Sequence, residues 1–166
     1  KNKNIDEVLK DFLKEVLNNL EGVRDIYQKS NDKKSYLASI KNTTGNIMND
    51  EDLIAIASLD KKQFSEKIEN LYLTKKKERI GIIGNEENNN FEKRIFLQII
   101  DFAWRSHLQY LEQLRQVIGL RSYGQKDPLS EFKKEAFTLF EGLLEKIKND
   151  LIKFLLNLNI VVSDQE

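Results

Sequence analysis

FEKRIFLQIIDFAWRSHLQYLEQLRQVIGLRSYGQKDPLSEFKKEAFTLFEGLLEKIK, Phe91 to Lys148, is the stretch whose reading decides the fold. In its first half Ile95, Phe96, Ile99, Ile100, Ala103, Trp104, Leu108, Leu111, Leu114 and Ile118 recur at steps of three and four, the spacing of one apolar stripe along a helix. In its second half Leu129, Phe132, Ala136, Phe137, Phe140, Leu143, Leu144 and Ile147 repeat the pattern, which continues through Leu151, Phe154 and Leu155 to about Leu158. Two stripes separated by so short a break can cover each other only if the chain doubles back. The break carries turn chemistry: Gly119 and Gly124 tolerate the backbone angles that end a helix, Asp127 can accept from free N–H groups, and Pro128 suits a first helical position. The spacing predicts two antiparallel helical arms, each roughly 40 Å long at ~1.5 Å per residue, with an exposed loop between them.

Working outward, Ile5, Val8, Leu9, Phe12, Leu13, Val16, Leu17 and Leu20 predict a first amphipathic helix ending near Asn18 to Gly22. Ile26, Tyr27, Tyr36, Leu37 and Ile40 suggest one or two short helices split at Ser30 to Asp32, and Thr43 to Asn46 reads as a loop. Asp50 to Asp52 can start a short helix through Ile56, and Leu59-Asp60 breaks the chain before a helix carrying Phe64, Ile68, Leu71 and Tyr72. From Lys75 to Asn90 the chain is polar, with Gly81 and Gly84 around Ile82-Ile83. It reads as a flexible joint, with Ile82-Ile83 as a very short strand the alternative. The fold expected is all-α: a small helical subdomain over 1–90, its joint near 75–90, a helical hairpin over 91–158 and a tail over 159–166.

Composition excludes several functions. Lysines and arginines number 27 and the acids 27, so the formal net charge is zero and no global field draws nucleic acid or an anionic bilayer. There are no cysteines, hence no disulfide, thiolate metal site or thiol nucleophile, which fits a reducing cytosol. No apolar run approaches the ~20 residues that span a bilayer, and Lys1 to Asp6 has no signal-peptide core. The first residue is not Met, and an excised piece of a longer chain is expected. A Gly-x-x-x-x-Gly-Lys-Ser/Thr loop is absent, so ATP hydrolysis by this chain alone is not expected.

Few side chains stand out for chemistry. His107, the single histidine, has no cysteine or spaced carboxylate to complete a ligand set, and Trp104 stands three residues before it, where a di-iron bundle needs Glu. A structural or hydrogen-bonding role is expected, with no catalytic residue and no metal. Trp104 lies on the stripe: it packs in a core or docks on a partner. Tyr123 is either an ordinary surface ring or, flanked by Arg121 and Lys126 at the end of a rod, a contact for another chain. Arg94, Arg105, Arg115, Arg121, Lys126 and Lys133 alternate with Glu92, Asp101, Glu112, Asp127, Glu131 and Glu135, the pattern of solvated helix faces.

The residues of the two arms resemble the helical hairpin near the C-terminal end of the SecA family, ATPases that drive preproteins through the bacterial Sec channel. The likeness is carried by Asp101, Trp104, His107-Leu108, Leu114-Arg115, Leu120-Arg121, Tyr123 and Gln125 to Pro128, together with Glu131, Lys133 and Glu135 to Phe137. It implies a helical wing followed by the two-helix finger of a scaffold domain, which couples ATP-driven movement to transport through SecY and restrains hydrolysis when no substrate is engaged. It further implies that Tyr123, Arg121, Gln125 and Lys126 contact the substrate polypeptide, and that Trp104, His107 and Arg115 face neighbouring domains or the channel. ATP and magnesium would be bound by other domains of the parent, which would sit in the cytoplasm, peripherally on the inner membrane, with SecY and preproteins as partners and no nucleic acid. Ile83 to Asn90 departs from the family's Gly-Glu-apolar-apolar entry into the finger, and Ser122 and Gly124 stand where Gly and Ala are common. A freestanding helical adaptor and an enzyme built on facing carboxylates are the rival readings.

Overall fold

Five of the six α-helices begin at an Asn or Asp whose side chain accepts from an N–H of the first turn. Asn4, Asp32, Asn49, Asp60 and Asp127 accept from the amides of Glu7, Ser35, Asp52, Gln63 and Ser130 at 2.8–3.2 Å. The computed structural model describes residues 3–161, and within them every regular element is helical. The order is α1 (Ile5–Ser30), α2 (Lys33–Thr44), α3 (Asp50–Ala57), α4 (Lys61–Ile83), α5 (Asn85–Val117), a 3₁₀ turn (Ile118–Gly124) and α6 (Pro128–Asn157).

The main core is a root in which five helices and the base of α5 share apolar side chains. Leu9, Leu13, Val16, Leu17 and Leu20 of α1 meet Tyr36 and Ile40 of α2, Leu53 and Ile56 of α3, and Phe64, Ile68 and Tyr72 of α4. The last turns of α6 close it with Leu151, Ile152, Leu155 and Leu156, and Phe91, Ile95 and Ile99 of α5 pack alongside. Tyr36 satisfies its buried hydroxyl by donating to the Leu53 carbonyl at 2.6 Å.

Beyond the root α5 and α6 run on together. Ala103 packs with Leu143 and Ile147, the His107 and Phe140 rings lie 6.2 Å apart, and Arg121 pairs with Glu131 and Glu135. Residue numbers fall along α6 as they rise along α5. With 33 and 30 residues, the two helices are roughly 50 and 45 Å long at ~1.5 Å per residue.

Several local expectations are corrected. α1 does not stop near Gly22 but runs to Ser30. Its extension is held by Arg24, buried, whose Nε donates to the Leu59 carbonyl at 3.1 Å, and by Tyr27 stacked on Tyr36 at 4.5 Å. These contacts offset the roughly 1 kcal/mol that a glycine costs inside a helix.

The polar stretch 75–90 is not a loose joint, and Ile82-Ile83 is helix rather than strand. α4 continues to Ile83 and α5 begins at Asn85, so Gly84, at φ 85°, is the only interruption. The reason lies in a buried polar set across that corner, described below. In the tip, neither Gly119 nor Gly124 takes the left-handed angle; Gln125 does, at φ 60°. Residues 159–161 follow α6 without regular structure, and the rest of the expected tail lies outside the described residues.

The exit of α2 is hooked to the end of α6. Asn157 Nδ2 donates to the Thr44 carbonyl at 2.8 Å, and its Oδ1 accepts from the Asn46 N–H at 3.1 Å. Gly45, at φ 64°, leaves room for this: a Cβ there would lie 2.6 Å from the Asn157 amide.

Candidate functional site

The tip is built by short local bonds. The Ser122 hydroxyl donates to the Gly119 carbonyl at 2.7 Å, and the Gln125 N–H donates to the Ser122 carbonyl at 3.1 Å. Asp127 then restarts the helix, accepting from both the hydroxyl and the N–H of Ser130, with Pro128 at the first position. The Ser130 hydroxyl first, and its N–H second, hold the Asp127 carboxyl below the ordinary aspartate range.

Within this frame Tyr123 is 89% exposed, and Gln125 and Lys126 are exposed beside it. The ring rests on no core and presents an apolar face with a phenol at the far end of the paired helices. Arg121 is placed differently. It pairs with Glu135 and, at 3.1 Å, with Glu131, both on α6, and these carboxylates push its guanidinium pKa up, Glu135 most. Its charge therefore braces the turn against α6, and of the four expected contact residues it is the one already engaged within the chain.

The expected interdomain residues separate likewise. His107 is buried between the arms, its ring 5.4 Å from Trp104 and 6.2 Å from Phe140. Trp104 is 45% exposed, so it is half a surface residue rather than a core one. Arg115 is bonded in parallel to Glu112 on its own helix at 2.7 and 3.1 Å, which raises its pKa and lowers that of Glu112. Tyr123 and Arg121 thus share the tip, whereas Trp104 and His107 form a second aromatic station some turns nearer the root.

Around that station the surface is apolar. Leu108, Phe137, Phe140 and Leu144 are exposed on the Trp104 side of the pair; Phe102 lies about 200° round α5 from Trp104 at ~100° per residue, and on that side a groove of about 280 Å³ runs between the arms past Phe102, His107, Tyr110, Leu139 and Gly142. Apolar side chains thus stand exposed on both sides of the pair, the kind of surface that a partner can cover. Among the described residues no group of three or more His, Asp or Glu could hold a metal ion. No described helix is long and apolar enough to cross a membrane.

Sequence reasoning missed one constellation. At the α4–α5 corner Arg79 Nε donates to Asn88 Oδ1 at 2.5 Å, Arg79 Nη2 donates to Glu92 Oε1 at 2.8 Å, and Asn88 Nδ2 donates to the same oxygen at 3.0 Å. All three residues are buried. Lys76 adds an ion pair to Glu92 at 3.7 Å and another to Asp6 of α1. The available signal was phase: Asn88 and Glu92 are four apart and continue into Phe96, Ile99 and Ala103, so they occupy the inward stripe.

The described residues thus form an all-helical root with a paired-helix arm, exposed apolar side chains along the pair and an exposed aromatic tip. The model of the SecA wing and scaffold domain matches residues 1–159. The chain is 44% identical over 156 residues to the protein translocase subunit SecA of Pelagibacter ubique, covering 94% of this chain and 18% of that protein. It is 46% identical over 89 residues to the SecA of a Caulobacter species, strain K31, covering 54% of this chain and 10% of that protein. It is 39% identical over 117 residues to the SecA of Campylobacter fetus, covering 70% of this chain and 14% of that protein. The chain belongs to the SecA wing and scaffold domain family. It spans less than a fifth of the length of these relatives.

Proposed function

We propose that this chain is the wing and finger of a SecA-type protein translocase, with 1–90 as wing and 91–158 as finger, and that the α5–α6 arm carries movement from nucleotide-driven domains elsewhere in the parent to a preprotein at the SecY channel. ATP and magnesium belong to those other domains, and the whole works at the cytoplasmic face of the membrane. Close-packed helices pass displacement along rather than absorb it, which suits a mechanical part. The observation that carries the reading is Tyr123, 89% exposed in the turn joining the two longest helices of the described chain. A phenol ring offers a moving polypeptide sequence-tolerant apolar contact and one hydrogen bond at small entropic cost. Lys126 and Gln125 lie beside it, and Arg121 keeps the turn in shape.

Trp104 and the apolar flank around it are the face on which the arm docks against the rest of the parent, and that docking restrains hydrolysis in the resting state. The test is Tyr123→Ser in the complete protein. The substituted residue lies on the surface, so folding stability should stay within about 0.5 kcal/mol of the parent. Preprotein transport into SecY-containing vesicles should fall severalfold while basal ATP hydrolysis persists. Undiminished transport would remove Tyr123 from the mechanism.

A further inference from the structure

Over the outer half of α5 the inward and outward faces are unequal in an unexpected sense. The inward residues are Ala103, His107 and Leu114, whereas Phe102, Trp104, Leu108, Tyr110 and Val117 are exposed. Counted over the outer half alone, burial of apolar area would favour turning α5 about its axis to bring Trp104 where Ala103 lies, a rotation of about 100° at 3.6 residues per turn. At the root the same inward face carries Phe91, Ile95 and Ile99, packed on the core beside Glu92, so the register of the whole helix is set there and not by the outer half.

We infer that the buried Arg79–Asn88–Glu92 set at the α4–α5 corner fixes the rotational register of α5, and through it the face the arm presents. Asn88 and Glu92 lie in line with Ala103 on the helix, so any turn of α5 that buries Trp104 also swings Glu92 off Arg79. That strands an unpaired guanidinium and carboxylate in a dry interior, where the loss of a partner is costly. Apolar contacts tolerate many rotations; three directed hydrogen bonds tolerate one.

The surroundings fit a device for specificity. Glu92 Oε2 and Tyr72 Oη are buried without a hydrogen-bond partner among the described residues, so the set is not arranged for greatest stability. The charges balance within it: Asp6 and Glu92 face Lys76 and Arg79, which also ties α1 to the corner. Arg79 and Glu92 are positioning residues in this account. The inference stands whether or not the tip meets a translocating polypeptide.

Trp104 is the only tryptophan of the chain, so its fluorescence reports the register directly. The experiment replaces the whole set with apolar residues, Arg79→Met, Asn88→Leu and Glu92→Leu, in this chain, with helix content checked by circular dichroism. A folded variant should show Trp104 emission shifted to the blue and a loss of acrylamide quenching, both independent of protein concentration. Wild-type emission and quenching in a folded variant would overturn the inference, as would a blue shift that appears only on raising the concentration. Should the triple variant fail to fold, Glu92→Met is read in the same way: it keeps the length of the side chain and removes the oxygen that accepts two of the three bonds. Reduced quenching supports the register role and unchanged quenching refutes it.

Discussion

The root and the arm are made of the same material and end in opposite states. Both are helices with apolar stripes rich in Leu, Ile and Phe, yet Phe64, Leu53 and Leu151 in the root are wholly buried while Phe102 in the arm is 72% exposed. The difference is the number of neighbours a helix face can find. In the root α1 is surrounded by α2, α3, α4 and α6, whereas on the arm α5 and α6 have only each other. A stripe thus declares that a helix has an apolar face, and packing decides whether that face becomes core or remains for a partner.

The sharpest way to break the contrast is to cut one side chain from each region. Leu151→Ala should cost about 2–5 kcal/mol in urea unfolding, because it removes a fully enclosed side chain and leaves a cavity. A loss below 1 kcal/mol would mean that the root is looser than its burial implies.

Acid should act next, and through the root. Lys76 first, then Lys10, hold the Asp6 carboxyl below its ordinary value of 3.8. A depressed carboxylate contributes stability that is present above 3.8 and is lost as pH falls through its lower folded value. Melting temperature should therefore drop below about pH 4, and Asp6→Asn should flatten that acid limb; an unaltered limb would assign the loss to other carboxylates. The smallest effect belongs to the arm: Phe102→Ser should change stability by no more than about 0.5 kcal/mol, since the ring is already in water. A larger loss would show that the flank is covered in solution.

Legibility in the sequence followed the same division. The all-α class, the break at Asp60 and the restart at Asp127-Pro128 could be read from periodicity and capping chemistry, because both are local. Stretch 75–90 could not, since its helices are held by Arg79 reaching thirteen residues ahead to Glu92, and a polar run with a distant partner looks like a polar run with none. At the candidate site the exposure of Tyr123 follows from its place in a turn between two stripes. The engagement of Arg121 with Glu131 and Glu135 needed the register of the two helices, and the half-exposure of Trp104 needed to be seen against the thinness of the pair. Neither is written in spacing alone.

The hook between Asn157 and the Thr44–Asn46 segment makes α6 a beam clamped at one end. The compliance of such a cantilever rises steeply with its free length, so the same thermal agitation that barely stirs Leu151 should displace the far turn by the greatest amount. A load applied at Tyr123 would arrive at the clamp as torque, with the Gly45 bend as its bearing surface.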